Sequence, residues 1–152
     1  NNIPVVIIYT FEYENGLIHK INKTGGLENP NYTLNHFEFI DGNITHCHLE
    51  FENQPGIVKL NFTTDNNPNE YPNVLPYPHS ILLSYSMHNI IEIRNSNSFT
   101  YDGVTFPANE LLFNRNVIHS ENGMVEILVN SKTPLTIFSS GAVIKNFTYQ
   151  CE

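Results

Sequence analysis

The chain has 152 residues, 40% of them hydrophobic, with 15 acidic and 7 basic side chains and a formal net charge of −8. This length suits one domain over residues 1–152, and the hydrophobic share is enough for a buried core. Scattered cations on an acidic chain exclude the basic stripe that binds nucleic acid, and no apolar run approaches the roughly 18 residues of a transmembrane helix.

A long hairpin is predicted at the start of the chain. Apolar side chains alternate with their neighbours over residues 3–13, and Asn15-Gly16 then carries the signal of a type I′ turn. The first strand is almost uncharged, so on an isolated monomer it is an edge in need of protection. We therefore treat it as a candidate assembly strand, against the alternative of an ordinary strand paired with residues 17–21. Its candidate residues are Val5, Ile7, Tyr9 and Phe11.

The rest of the chain is interpreted as short strands separated by turns. The alternating runs lie at residues 36–40, 44–51, 57–63, 81–86, 90–94, 110–113, 124–129, 135–139 and 142–149. The turn signals between them are Asp41-Gly42, Pro55-Gly56, Asp102-Gly103 and Asn122-Gly123. No segment has the apolar period of a helix. About ten short strands predict an all-β fold, an antiparallel β-sandwich.

One irregular segment, residues 65–78, is rich in asparagine and proline. A loop of this length is often functional, and tyrosine offers contact area at low entropic cost to a protein or glycan partner. Its candidate binding residues are Tyr71, Leu75 and Tyr77. The alternative is a proline-stiffened loop that covers the sandwich edge.

Asparagine is unusually frequent, with 23 residues. The glycosylation pattern Asn-x-Thr occurs five times, at Asn22, Asn31, Asn43, Asn61 and Asn146. We therefore predict an extracellular, glycosylated protein, the alternative being chance matches in an asparagine-rich chain.

The two cysteines, Cys47 and Cys151, each alternate in phase with apolar residues of their own strand. Two cysteines in an extracellular domain most often form one bridge, so we predict a Cys47–Cys151 disulfide. Two buried reduced thiols are the alternative.

An ordered series of short motifs runs from Gly25 to Tyr149. It comprises Gly-Gly-Leu-Glu-Asn-Pro-Asn-Tyr at 25–32, Cys-His-Leu-Glu-Phe at 47–51, an alternating strand at 57–62, Ile-Glu-Ile-Arg at 91–94, and the segments 120–127 and 141–144. In this order the series resembles the CUB domain, an extracellular β-sandwich of jelly-roll type. The chain looks most similar to the divergent CUB-like domains of secreted nematode proteins. The resemblance implies a family-like core at residues 24–149 and an additional N-terminal hairpin at residues 1–23.

The chain departs from the CUB pattern at its cysteines and its calcium site. The family usually has four cysteines, and only Cys47 is in a matching place. Where many members place calcium-binding acids, this chain has His88-Asn89 and Ser131-Lys132. Calcium prefers several carboxylate oxygens, so we predict no calcium, no other metal and no cofactor.

Histidines offer the nearest approach to a metal motif. His46 and His48 share one face of a strand, with Glu50 in phase, whereas Cys47 points to the other face. The alternative is a set of exposed polar residues around a cysteine. The remaining histidines are interpreted as scattered surface residues, at His19, His36, His79, His88 and His119.

No catalytic motif is found, so we expect no enzyme. The first hypothesis is a secreted, glycosylated module that binds a protein or glycan through loops. The second is a structural subunit of an extracellular homopolymer or filament, joined through the N-terminal strand. The third is a secreted enzyme or metal-binding protein.

Overall fold

The computed structural model describes residues 6–26, 31–68, 85–120, 123–131 and 143–147. These residues form strands and turns, which confirms the all-β class. Residue contacts divide the chain into a first unit, residues 1–61 and 95–110, and a second unit, residues 62–94 and 111–152. In the described ranges no helix has the length and apolar character to cross a membrane.

The strands, in chain order, are β1 (Ile7–Glu14), β2 (Leu17–Gly25), β3 (Tyr32–Ile40), β4 (Asn43–Phe51), β5 (Val58–Pro68), β6 (His88–Asn95), β7 (Phe99–Tyr101), β8 (Val104–Phe106), β9 (Leu111–Ser120), β10 (Gly123–Ser131) and β11 (Val143–Phe147). In the first unit, β1 to β4 and the start of β5 pair antiparallel with their chain neighbours, and β7 and β8 form a separate hairpin.

Three tight turns of the first unit have positive φ at both central residues, as a type I′ turn requires. The φ angles are 53° and 79° at Asn15-Gly16, 52° and 79° at Asp41-Gly42, and 47° and 75° at Asp102-Gly103. These turns connect β1 to β2, β3 to β4, and β7 to β8. These three predicted turns and the N-terminal hairpin are therefore confirmed.

The sheet of the first unit has one apolar and one polar face. The register aligns Ile21, Leu34, Leu49 and Val58 across four strands, and all four are buried. Their neighbours along the strands point the other way, because successive strand side chains alternate between the two faces. The polar face therefore carries Asn22, Thr33, Glu50, His48 and Lys59.

The second unit holds the rest of β5 and strands β6, β9, β10 and β11, which pair in that order. Its buried side chains include Ile90, Ile93, Leu112 and Phe113. The described pairings form a meander with one inserted hairpin, and jelly-roll connections are not among them.

Several predictions differ from the structure or lie outside its described ranges. The structure has a turn at residues 85–87, so the predicted strand at 81–86 is wrong at its end. Strand β3 starts four residues before the predicted residue 36, because a bulge between Asn35 and Glu38 interrupts the apolar alternation. Predictions outside the described residues are the strand at 135–139, the binding residues Tyr71, Leu75 and Tyr77, and Val5, Asn122 and Cys151.

Candidate functional site

The first candidate surface consists of Val6 and the first five residues of β1, residues 6–11 in all, which we call the open edge. Strand β1 stands at the end of the strand order and pairs with β2 alone among the described strands. Val6, Ile7 and Ile8 are 61%, 44% and 55% exposed. The open edge carries no charge, whereas the inner half of β1 has Glu12 and Glu14. An uncharged apolar edge is a template for strand pairing.

The described candidate assembly residues, Ile7, Tyr9 and Phe11, lie on the core-facing side of β1. Ile7 is exposed, while Tyr9 and Phe11 are half-buried. Val6 and Ile8, on the opposite face, are more exposed than Ile7, and sequence reasoning missed them. The alternation of side chains along a strand could have identified them, because it places Val6 and Ile8 on the face opposite to Tyr9 and Phe11.

Gly25 holds the open edge against β2. It has a φ of +82°, and a Cβ atom there would overlap the backbone carbonyl oxygen of Val6. Glycine avoids both the strain of this conformation and the overlap. The close approach of β1 to β2 at Val6 therefore depends on the missing side chain.

Behind the open edge, Tyr9, Lys23 and Tyr32 form one cross-strand row on the core-facing side. Lys23 and Tyr32 are buried. Burial lowers the pKa of Lys23 and raises the pKa of both tyrosines, and the neighbouring Tyr9 raises that of Tyr32 further. These polar side chains therefore lie behind β1, where burial disfavours their charged forms.

A cleft of about 460 Å³ opens beside this row, lined by residues of β1 to β4 and their ends. Two predicted glycan acceptors line it. Asn31 accepts a hydrogen bond from the Gly25 N–H (3.0 Å) and donates one to Glu52 (2.5 Å), and Asn22 accepts one from Thr33 (2.8 Å). Their amides therefore already serve as structural contacts.

The other predicted glycan acceptors lie elsewhere. Asn61 is exposed on β5, where its Oδ1 lies 3.0 Å from His46 Nδ1. Asn43 is half-buried at the start of β4, and Asn146 belongs to β11. Asn61 is thus the most accessible acceptor whose side chain the structure describes, and glycosylation stays a prediction.

Three histidines gather on the polar face of β3 and β4, and we call them the histidine cluster. The rings of His36 and His48 stack with centroids 4.7 Å apart, and those of His46 and His48 meet edge to face at 5.2 Å. The shared face of His46 and His48 is confirmed. His36 is exposed, as predicted for a surface residue, but it is not isolated, because the β3 bulge gives it a φ of 52° and turns its ring onto His48.

The geometry of the histidine cluster does not suit metal binding. The stacked rings of His36 and His48 lie in nearly parallel planes with centroids 4.7 Å apart, so their in-plane lone pairs do not converge on one ion as metal ligands must. Glu50 accepts a hydrogen bond from Asn35 at 2.8 Å. Within the described residues, no group of three or more histidine, cysteine or acidic side chains is arranged to hold a metal.

The histidine cluster makes folding sensitive to acid. Burial, then His36, His46 and Lys59, lower the pKa of His48 below its usual 6.5, while Glu50 opposes the shift. The folded state therefore binds this proton less readily than the unfolded state does. We therefore expect the contribution of His48 to stability to be fully present above about pH 6.5 and to fall as the pH drops below it.

We expect His48→Gln to weaken this pH dependence. Urea denaturation of wild type and variant at pH 7.5 and pH 5.5 measures it, with the exposed His19→Gln as the matched control. A loss of stability on acidification that is identical in wild type and His48→Gln would contradict the prediction.

Cys47 is fully buried and carries a free thiol in the structure. The predicted Cys47–Cys151 disulfide is therefore not seen, and Cys151 lies outside the described residues. The strand phase that directs Cys47 into the core is confirmed. Burial raises the pKa of the Cys47 thiol, which suppresses the reactive thiolate.

We expect Cys47 to resist a maleimide reagent in the native protein and to react after denaturation without reductant. Mass spectrometry of the labelled peptides measures this. Rapid native labelling would contradict the burial, and failure to label after denaturation would show that Cys47 is bridged.

The chain was compared with known proteins. No family model matches it, and searches of curated proteins and of solved structures return no significant match.

Proposed function

We propose that this chain is a secreted, glycosylated, non-enzymatic interaction domain that receives a strand of a protein partner at the open edge. The observation that carries the proposal is the exposure of Val6, Ile7 and Ile8 on an uncharged edge strand. Proteins usually protect such an edge with charged residues, proline, a bulge or a covering loop.

A partner strand satisfies the physical needs of this edge. It bonds the outward N–H and C=O groups of β1 and covers the apolar side chains on both of its faces. Apolar cover favours a protein over a glycan, whose hydroxyl groups require hydrogen-bonding side chains. The open edge therefore supports the second sequence hypothesis, assembly through the N-terminal strand.

The remaining parts of the proposal rest on the sequence. The Asn-x-Thr patterns, with Asn61 exposed, support secretion and glycosylation. The motif series supports a CUB-like β-sandwich, and its residues 47–51 and 57–62 lie mainly on the neighbouring strands β4 and β5. Loop binding through Tyr71, Leu75 and Tyr77 stays a prediction.

Sedimentation of the fluorescently labelled, glycosylated protein in the medium into which it is secreted tests the proposal. Wild type is expected to sediment as a complex, and Ile8→Lys as the monomer, because a buried lysine opposes strand addition. Val104→Lys is the matched control, since Val104 is 48% exposed on β8, which pairs with β7 in a hairpin separate from the sheet of β1.

The control is expected to form the same complex as wild type. A wild-type monomer in the medium, or a complex that Ile8→Lys leaves intact, would refute the proposal. Intact mass before and after enzymatic removal of N-glycans tests the glycosylation separately.

A further inference from the structure

We infer that the strand added to the open edge is β1 of a second copy of this chain, paired antiparallel about a two-fold axis at Ile8. The inference rests on the proposed function and names its partner. It follows from the alternation of faces along β1 and from the residues that bound its uncharged part.

The two faces of β1 restrict how two copies can pair. Val6 and Ile8 share one face, and Ile7 and Tyr9 share the other. Directly opposite residues of an antiparallel pair lie on the same face of the joined sheet. A two-fold axis perpendicular to that sheet keeps the faces matched, so it must pass through a residue rather than between two residues.

The sequence around β1 selects which residue lies on the axis. The uncharged, proline-free stretch is bounded by Pro4 and Glu12, and Ile8 is its centre. An axis through Tyr9 would put Val6 opposite Glu12. An axis through Ile7 would put Pro4, which has no N–H to donate, opposite Thr10.

The register about Ile8 brings exposed apolar side chains together. Ile8 faces Ile8 of the second copy, Ile7 faces Tyr9, and Val6 faces Thr10. Apolar and aromatic cross-strand pairs of this kind stabilise a sheet. Pairing about this axis therefore covers the two most exposed aliphatic side chains of the open edge, Val6 and Ile8, as well as Ile7.

Charges are compatible with this pairing. Glu12 and Glu14 lie beyond the five central pairs, and each approaches a basic side chain of its own β2. Glu12 is 3.9 Å from Lys20, and Glu14 is 3.2 Å from His19. No like charges face each other within the central ladder, so the net charge of −8 acts only over longer, salt-screened distances.

Cysteine cross-linking of the purified protein tests the register. Opposite residues of an antiparallel pair have Cα atoms within the range that a disulfide spans. In a Cys151→Ser background, Ile8→Cys is expected to form a covalent dimer by itself under mild oxidation. Ile7→Cys alone and Tyr9→Cys alone are each expected to form no covalent dimer, whereas a mixture of the two is expected to cross-link.

Val104→Cys in the same background is the matched control, because it is comparably exposed and lies on β8. Cross-linking of Ile8→Cys that does not exceed that of Val104→Cys would overturn the inference. In the protein without added cysteines, Ile8→Lys places two cations opposite each other in the dimer. We expect this substitution to raise the dimer dissociation constant by about tenfold or more.

The two failures are distinguishable. If the labelled protein forms an Ile8-dependent complex in the medium while the purified protein stays monomeric, the second copy is wrong and strand addition stands. If Ile8→Lys changes neither the complex in the medium nor the dimer of the purified protein, both strand addition at the open edge and pairing with a second copy are wrong. Cross-linking of Ile7→Cys by itself would place the axis at Ile7 and refute the register.

Discussion

Replacing Asn95 with aspartate is expected to lower the free energy of unfolding by about 3–5 kcal/mol, the range for an unpaired buried charge. Asn95 is fully buried at the end of β6. Its Nδ2 group donates to the carbonyl oxygens of Asn97 (2.8 Å) and Pro107 (2.7 Å). A carboxylate would replace this donor with a negative charge directed at two acceptors.

Two further variants separate charge from packing. Asn95→Ala, which only removes the donor, is expected to cost about 1–3 kcal/mol. Asn53→Asp in an exposed turn is expected to change stability by less than about 0.5 kcal/mol. Urea denaturation monitored by circular dichroism measures all three, and equal midpoints for Asn95→Asp and wild type would contradict the hydrogen-bonding role of Asn95.

The second large effect is expected from Gly25→Ala, at about 3 kcal/mol or more. The substitution combines an unfavourable positive φ with the overlap against the Val6 carbonyl oxygen. Gly16→Ala is a matched control, because Gly16 has nearly the same φ, +79°, with no atom within 4 Å of the added Cβ. It is expected to cost only about 1 kcal/mol of backbone strain.

The difference between the two glycine variants isolates the contact between β1 and β2. Urea denaturation gives the stabilities, and sedimentation in the medium shows whether Gly25→Ala also loses the complex. Equal costs for Gly25→Ala and Gly16→Ala would contradict the role of Gly25 in holding the open edge.

Local signals predicted much of the fold. Asn15-Gly16 and Asp41-Gly42 specify turns whose positive φ few residues tolerate, so the hairpins could be placed from the sequence. Alternation likewise placed Cys47 and Leu49 in the core. These features depend on neighbours along the chain, and therefore a single sequence contains them.

Features that depend on distant residues were missed. The bulge that brings His36 to His48 arises from pairing between β3 and β4, and the apolar alternation of β3 gives no sign of it. Asn95 resembles any other asparagine of this asparagine-rich chain. Its role depends on Pro107, which lies 12 residues away.

The candidate site was predicted in part. The strand containing Ile7 and Tyr9 was identified as an uncharged edge, whereas the exposure of Val6 and Ile8 was not. Which face of an edge strand is covered depends on the strands stacked against it, and those contacts leave no pattern within β1 itself.

Hydrogen exchange across β1 is the most direct test of strand addition. A free edge strand leaves alternate amides open to water, and a partner strand protects them. The peptide spanning Ile7–Glu14 is expected to exchange slowly in the wild-type complex and rapidly in Ile8→Lys. A wild-type complex in which this peptide exchanges as rapidly as in Ile8→Lys would contradict partner binding at the open edge.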